Sequence, residues 1–244
     1  MQVDAIALHL RPRSMSEAAD LGTRLVQANA RSVWASFGPV VAVVALVALA
    51  TLGIASWLPT LIVFWLKPWL DRTLLFVLSR AAFGQATRFA DVWAAQREVW
   101  WSQWPTTLTL RRLSPWRAYT QPGYQLEGQR GAAARARRKQ LLNGHRGAAF
   151  AMQGAYAQLE FLLVAGLTAL VVAFAPQGSA GDVFTALTSG TSLLASFAST
   201  AAYLGVVTLV EPFFVGAGFS MYLNRRVELE AWDIEQEFRL AFAA

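Results

Sequence analysis

Residues 37–58 form a run of 22 amino acids without a charge. At about 1.5 Å of rise per residue, a helix of that length reaches roughly 30 Å, the thickness of bilayer hydrocarbon. Three further apolar segments follow. One begins after Pro59 and turns straight back, one covers residues 148–175 and is closed by Pro176, and one covers residues 193–223. The chain of 244 residues is 55% hydrophobic and only 15% charged, against about 25% charge in a soluble domain of ordinary composition. These runs therefore read as membrane spans.

Orientation follows from the placement of the 21 Lys and Arg. Four precede Phe37, fourteen fall in residues 67–146, and Arg225, Arg226 and Arg239 lie in the tail, whereas the connections around Pro59 and over residues 176–191 hold none. Cytoplasmic segments are the ones enriched in Lys and Arg. The expected fold is an all-α integral membrane protein of the bacterial inner membrane. It has two transmembrane hairpins, about four spans, flanked by interfacial amphipathic helices, with both termini cytoplasmic. The chain divides as a cytoplasmic segment 1–36, a first hairpin 37–80, a basic loop 81–147, a second hairpin 148–223 and a C-terminal helix 224–244. The first residues lack the basic start, apolar core and cleavage site of a signal peptide, which agrees with a cytoplasmic N-terminus. Trp34, Trp57, Trp65 and Trp69 fall near span ends or in the second span, where an indole favours the headgroup level.

Between the spans, Ser14-Met-Ser-Glu17 has capping-box spacing and starts an amphipathic helix. Residues 87–103 place Phe89, Val92, Trp93, Val99 and Trp100 among polar residues and read as an interfacial helix ended by Pro105. Residues 113–123, with Ser-Pro, Gln-Pro-Gly and Trp116, read as an ordered loop. An Ala/Arg helix over residues 130–139 ends at Asn143-Gly144. The alternation Ile6, Leu8, Leu10 permits a short strand, and residues 227–242 hold five of the fifteen acids in a further helix.

Five ionisable residues fall inside or at the edges of the spans: Lys67, Asp71, Arg72, Glu160 and Glu211. Counted from Thr60, Lys67 lies about 10 Å deep and Asp71 and Arg72 about 17 Å; Glu211 lies about 27 Å along its span. A lone charge at mid-bilayer costs at least about 2.5–3.5 kcal/mol, so such groups face the bundle and pair. They are expected to form one network, with Lys67 and Asp71 pairing at i,i+4 and Arg72 meeting Glu211 or Glu160. The network reads either as interhelical glue or as a proton or solute site. In the last span, Pro212 predicts a kink, while Gly216, Gly218 and the Ala201-xxx-Gly205 seam allow close helix contact.

Residues 88–146 carry eleven Lys/Arg against Asp91, Glu98 and Glu127. Arg130, Arg135, Arg137, Arg138 and Lys139 are the expected contacts to anionic lipid headgroups, at about 1 kcal/mol each. Docking of the acidic C-terminal helix on this basic segment, as a closed cap, is a further possibility. A recognition fold for nucleic acid is lacking, and nucleic acid is not an expected partner. The chain has no cysteine and only His9 and His145, each isolated. No GxSxG, HExxH, P-loop or GxGxxG pattern occurs. Neither a catalytic residue nor a cofactor or metal is expected.

Three phrases carry a resemblance: Leu10-Arg-Pro-Arg-Ser-Met-Ser-Glu-Ala-Ala-Asp-Leu-Gly22; Trp65-Leu-Lys-Pro-Trp-Leu-Asp-Arg72 with Val77-Leu-Ser-Arg-Ala-Ala-Phe-Gly84; and Val210-Glu-Pro-Phe-Phe-Val-Gly-Ala-Gly-Phe219 with Tyr222-Leu-Asn-Arg-Arg-Val-Glu-Leu-Glu-Ala-Trp-Asp-Ile-Glu235. They resemble an uncharacterised family of proteobacterial multi-pass inner-membrane proteins, often encoded beside MoxR-type AAA ATPases. The last phrase is also distantly similar to the membrane domain found with glycerophosphodiester phosphodiesterases, which is non-catalytic. The resemblance implies a MoxR-type ATPase or a neighbouring membrane protein as partner, and no catalytic residues. The reading is a non-enzymatic scaffold or accessory subunit of a membrane complex. The alternative is a small transporter or lipid-handling protein that uses the intramembrane charges.

Overall fold

The computed structural model of the chain describes residues 12–109, 112–190 and 192–230. The Ile6–Leu10 alternation and the acidic helix beyond Glu230 lie outside the described residues. Among those described there is no strand, and the elements are helices throughout.

The Ser14 hydroxyl accepts the Glu17 amide at 3.2 Å and starts α1, Met15–Ala28. Asn29 separates it from α2, Ala30–Leu49. A turn over residues 50–57 leads to α3, Leu58–Ala81, with Pro59 in its first turn, where a missing amide is harmless. The loop region then forms α4, Phe89–Ala94; a π-helical turn, Arg97–Trp101; α5, Trp104–Leu108; α6, Arg117–Gln125; and α7, Gly131–Leu142. The long helices α8, Arg146–Ala173, and α10, Leu193–Glu230, are joined by α9, Ala180–Ser189.

Three helices, α2, α8 and α10, are long and apolar enough to cross a membrane. In α2, Val33, Phe37, Val40, Val44 and Ala48 bury one stripe while Val43, Leu46 and Val47 are exposed, so the helix is apolar all round. On α8 only Ala149 and Met152 are buried, and Phe150, Phe161, Leu162, Leu170 and Val171 stand exposed. An apolar surface of that extent suits hydrocarbon, not water. The 24-residue α3 has the length to cross but carries Lys67, Asp71, Arg72 and Arg80. Both hairpins start and end beyond the expected limits: α2 begins at Ala30 and α10 runs unbroken through Pro212 and Asn224 to Glu230.

α10 is the axis, and α1, α3, α6 and α8 pack on it. Small residues set the closest approaches. A methyl group on Gly22 of α1 would lie 2.1 Å from the Gly216 carbonyl oxygen, and one on Gly218 would lie 2.5 Å from Ala118 of α6. The expected contacts at Gly216 and Gly218 are thus made within the chain, whereas a methyl on Gly205 meets nothing within 4 Å and Ala201 is exposed. The start of α1 is clamped to α10 by a reciprocal pair: the Arg13 amide donates to Asn224 Oδ1 and Asn224 Nδ2 donates to the Arg13 carbonyl, each at 2.9 Å. Pro212 has no amide to give, which leaves the Thr208 carbonyl free of its helical donor. That oxygen accepts the indole N–H of Trp34 from α2 at 3.2 Å.

The loop region departs most from expectation. Residues 87–103 are not one helix, because the chain breaks between α4 and the π-helical turn. Pro105 stands in the first turn of α5 and starts a helix where it was expected to end one. Residues 117–125 form α6 and are almost wholly buried. Overpacking costs about 1–3 kcal/mol, more when backbone must move. Gly22→Leu and Gly216→Leu should therefore lower the unfolding midpoint in detergent by at least that equivalent, and Gly205→Leu should leave it unchanged. Equal effects at the three positions would refute the α1–α10 seam.

Candidate functional site

Four elements bring charges to one buried cluster. Lys67 of α3 forms ion pairs with Glu160 of α8 and with Glu211 of α10, the latter at 2.8 Å. Arg117, the first residue of α6, bridges two acids, with Nη2 donating to Glu211 Oε1 at 2.9 Å and Nε lying 2.8 Å from Asp71 Oδ2. The second contact is an ion pair without hydrogen-bond alignment, and neither oxygen of Asp71 accepts a hydrogen bond. Asp71 is 0% exposed, Glu211 1%, Arg117 4% and Lys67 7%.

Four of the five expected residues, Lys67, Asp71, Glu160 and Glu211, meet in this cluster, with Arg117 in place of Arg72 and with other pairings than expected. Lys67 does not pair along its own helix with Asp71, because its reach is spent across the bundle on Glu160 and Glu211. Those two acids take their cations from Lys67 and Arg117, not from Arg72. Arg72 turns to the loop region and donates to the carbonyls of Val99 and Glu98 (the latter at 2.8 Å) and to Thr107 Oγ1 at 3.3 Å. Trp100 adds an indole N–H bond to Thr73 Oγ1 at 2.9 Å. The π-helical turn is thereby fixed to α3, since its wider winding exposes carbonyls that a buried guanidinium satisfies.

Arg117 was missed as a network member because it stands in a segment rich in arginines. The available signal is a count: three in-span acids, Asp71, Glu160 and Glu211, face only two in-span bases, Lys67 and Arg72, which leaves room for a base from outside the spans. Trp116 and the Gln-Pro-Gly phrase around it marked order, and α6 is the result. Tyr119 of α6 donates to the Leu141 carbonyl at 2.8 Å, and Gln125 to the Arg72 carbonyl at 2.8 Å.

Above the cluster lies a cavity of about 910 Å³. It extends from Ser56, Trp57 and Gly190, at the end of the bundle formed by the 50–57 turn and α9, to Lys67, Arg117 and Glu211. Its walls come from α3, α8 and α10. Leu61 and Phe64 of α3 and Phe161 of α8 line it and are exposed, so we read it as opening sideways between α3 and α8. Its size lies at the upper end of the roughly 300–1,000 Å³ typical of small-molecule sites. Apolar walls with a few convergent polar groups are the usual make-up of such sites.

At the opposite end, α7 and the last turns of α10 form a second charged group. Arg137 holds Glu127 with two nitrogens, at 2.7 and 2.8 Å, and Glu230 at 2.5 Å. Tyr222 donates to Glu127 at 2.5 Å, and Arg226 pairs with Glu230. Burial works against the Arg137 charge, but hydrogen bonds to Glu127 and Glu230 outweigh it and raise its pKa. Of the expected lipid-facing row, Arg137 is therefore turned inward and Arg138 stacks on Trp116, while Arg130, Arg135 and Lys139 are exposed. Glu228 and Glu230 are the described start of the acidic helix, and they reach His145, Arg225, Arg226 and Arg137.

No family model matches this chain, and no curated protein or solved structure matches it.

Removing one partner of a buried ion pair costs about 3–5 kcal/mol. Arg117→Leu should destabilise by that amount, and adding Asp71→Asn should recover about 0.5–3 kcal/mol of it, read by unfolding in detergent. Strictly additive losses would show that the two are not coupled. Raising salt from about 0.1 to about 1 M shortens the Debye length from about 10 to about 3 Å. That change, or Arg137→Gln at low salt, should speed proteolysis within α7 about fivefold, the equivalent of about 1 kcal/mol. Unchanged cleavage would discount the charged closure of this end.

Proposed function

We propose that the chain is a non-enzymatic, four-span protein of the bacterial inner membrane, with both termini cytoplasmic, that handles an amphiphilic solute in the cavity beside α3. The observation that carries this reading is the side opening of the cavity. Leu61, Phe64 and Phe161 are lipid-exposed at its mouth, and Lys67, Arg117 and Glu211 form a charged floor within it. A solute arriving from the bilayer meets apolar walls first and polar groups last, the order an amphiphile requires. α3 supplies the fourth crossing in this reading, because its charges face the bundle and are compensated there. The arginine-free connections support the orientation that puts the 50–57 turn and α9 outside.

A second reading, a scaffold or accessory subunit, is favoured by one feature. Arg130, Arg135 and Lys139 project from α7 with no ion-pair partner among the described residues, a surface suited to anionic headgroups or to an acidic cytosolic partner. The family resemblance makes a MoxR-type ATPase the first such partner to test.

Two measurements check the primary reading. The chain lacks cysteine, so single cysteines report cleanly. Asp182→Cys should react with an impermeant maleimide on intact cells and Arg135→Cys only after lysis; the reverse pattern would overturn the orientation. Native mass spectrometry of the protein in mild detergent should show a retained amphiphile that is lost when Ala157→Trp fills the cavity wall. Retention unaffected by that change, together with a stoichiometric protein partner, would favour the scaffold.

A further inference from the structure

The ionic groups around the cavity are not equally occupied. Lys67 and Arg117 each contact two carboxylates. Arg112, which enters the cavity from the segment before α6, contacts none: no carboxylate among the described residues lies within ion-pair distance of it. Its guanidinium lies 3.7 Å from the centre of the Phe64 ring, stacked as a cation on an aromatic face. Its Nε is buried without a hydrogen-bond acceptor. Buried polar atoms in folded proteins are nearly always paired, and each exception asks for a partner. Here the unpaired atom is an N–H donor of a guanidinium that lines the cavity.

The missing partner has a definite chemistry. A guanidinium presents its N–H groups in a planar fork that matches a carboxylate or phosphate. Burial, and then the like charge of Arg117, lower the Arg112 pKa, so an anion placed against it relieves a real cost. Asp71 and Glu211 of the floor act on Arg112 in the opposite sense but do not outweigh these effects, and they are in direct contact with Lys67 and Arg117. Leu61 and Phe64 of α3 and Phe161 and Val164 of α8 supply apolar lining to the same cavity. A group that satisfies Arg112 therefore lies at the inner end of an apolar passage leading out between α3 and α8.

We propose that the cavity binds an anionic amphiphile, its phosphate or carboxylate on Arg112 and its hydrocarbon leaving past Phe64 and Phe161 into the bilayer. This assignment rests on the amphiphile-handling reading and narrows it to a charge class. Lys67, Glu160 and Glu211 act as a closed floor that keeps the headgroup from passing deeper while they remain paired. The headgroup contact is carried by a single guanidinium, so its loss should cost at least about tenfold in occupancy, equivalent to about 1.4 kcal/mol.

The test uses the full chain in lipid nanodiscs doped with a photoactivatable phosphatidylglycerol or the corresponding phosphatidylcholine, with cross-links mapped by peptide mass spectrometry. The phosphatidylglycerol analogue should label the Phe64 and Phe161 peptides at least about tenfold more than the phosphatidylcholine analogue. Arg112→Gln should remove that preference, Arg112→Lys should keep part of it, and Arg24→Gln, an exposed charge on α1, should not affect it. Circular dichroism and gel filtration establish that each variant is folded. Inorganic phosphate in excess should not compete, whereas unlabelled phosphatidylglycerol should; competition by both would mean a simple anion site and overturn the amphiphile. Equal labelling by the two analogues, or a preference unchanged in Arg112→Gln, overturns the anionic headgroup but leaves amphiphile handling standing. No labelling of the cavity by either analogue overturns both.

Discussion

The structure depends on compensation of charge inside an apolar bundle. Asp71, Glu160 and Glu211 meet Lys67 and Arg117, and these five residues come from α3, α6, α8 and α10. Apolar helix surfaces accept many registers at similar cost, because one buried methyl is much like another. A buried ion pair accepts very few, since a helix shifted by one turn moves a charge about 5.4 Å from its partner. Leaving a buried charge alone costs several kcal/mol. The cluster therefore acts as the register mark of the bundle. α8, which is otherwise seated on α10 and largely open to its surroundings, is linked to α3 at this level through the Lys67–Glu160 pair.

Much of this was legible because hydrocarbon and charge leave strong marks. The charge-free run at residues 37–58 became most of α2 and the turn after it, and the apolar run at 148–175 became α8. Gly216 and Gly218 pointed to close contacts that α1 and α6 make. Of the five in-span ionisable residues, Lys67, Asp71, Glu160 and Glu211 come together while Arg72 turns away, and the pairing was not readable. Partner choice depends on which helices meet, and α6 looks like a loop in the sequence because it is short, polar by composition and contains Pro122. An arginine such as Arg117 has the same sequence surroundings whether it faces lipid headgroups or two buried carboxylates. α9 was hidden for a similar reason: ten residues without charge pattern, between Pro176 and the last span, look like any connection. Pro105 misled because proline both ends one helix and begins the next, and only tertiary placement separates the two roles.

The same bundle shows how breaks in regular structure acquire polar work. Pro212 frees a carbonyl that Trp34 binds, tying the second helix to the last at 3.2 Å. The π-helical turn at Arg97–Trp101 presents carbonyls that Arg72 binds, and Trp100 folds back on Trp69 with ring centres 5.6 Å apart. In each case a backbone oxygen released from its helical donor is met by a side chain from another element. A lipid-facing helix could not tolerate such an oxygen, because hydrocarbon offers no substitute donor. Irregular backbone is therefore found on the inner side of the bundle.

The clamp between Arg13 and Asn224 joins positions 211 residues apart, and it lies beside the Gly22–Gly216 contact. During synthesis, α1 leaves the ribosome long before its groove exists, since that groove is made chiefly by α10, with α8 beside it. The amphipathic α1 must wait at the membrane surface until nearly the whole chain has been inserted, and only then can it seat. Seating of α1 thus has to follow insertion of α10, and a ribosome halted before Asn224 leaves α1 with nowhere to go.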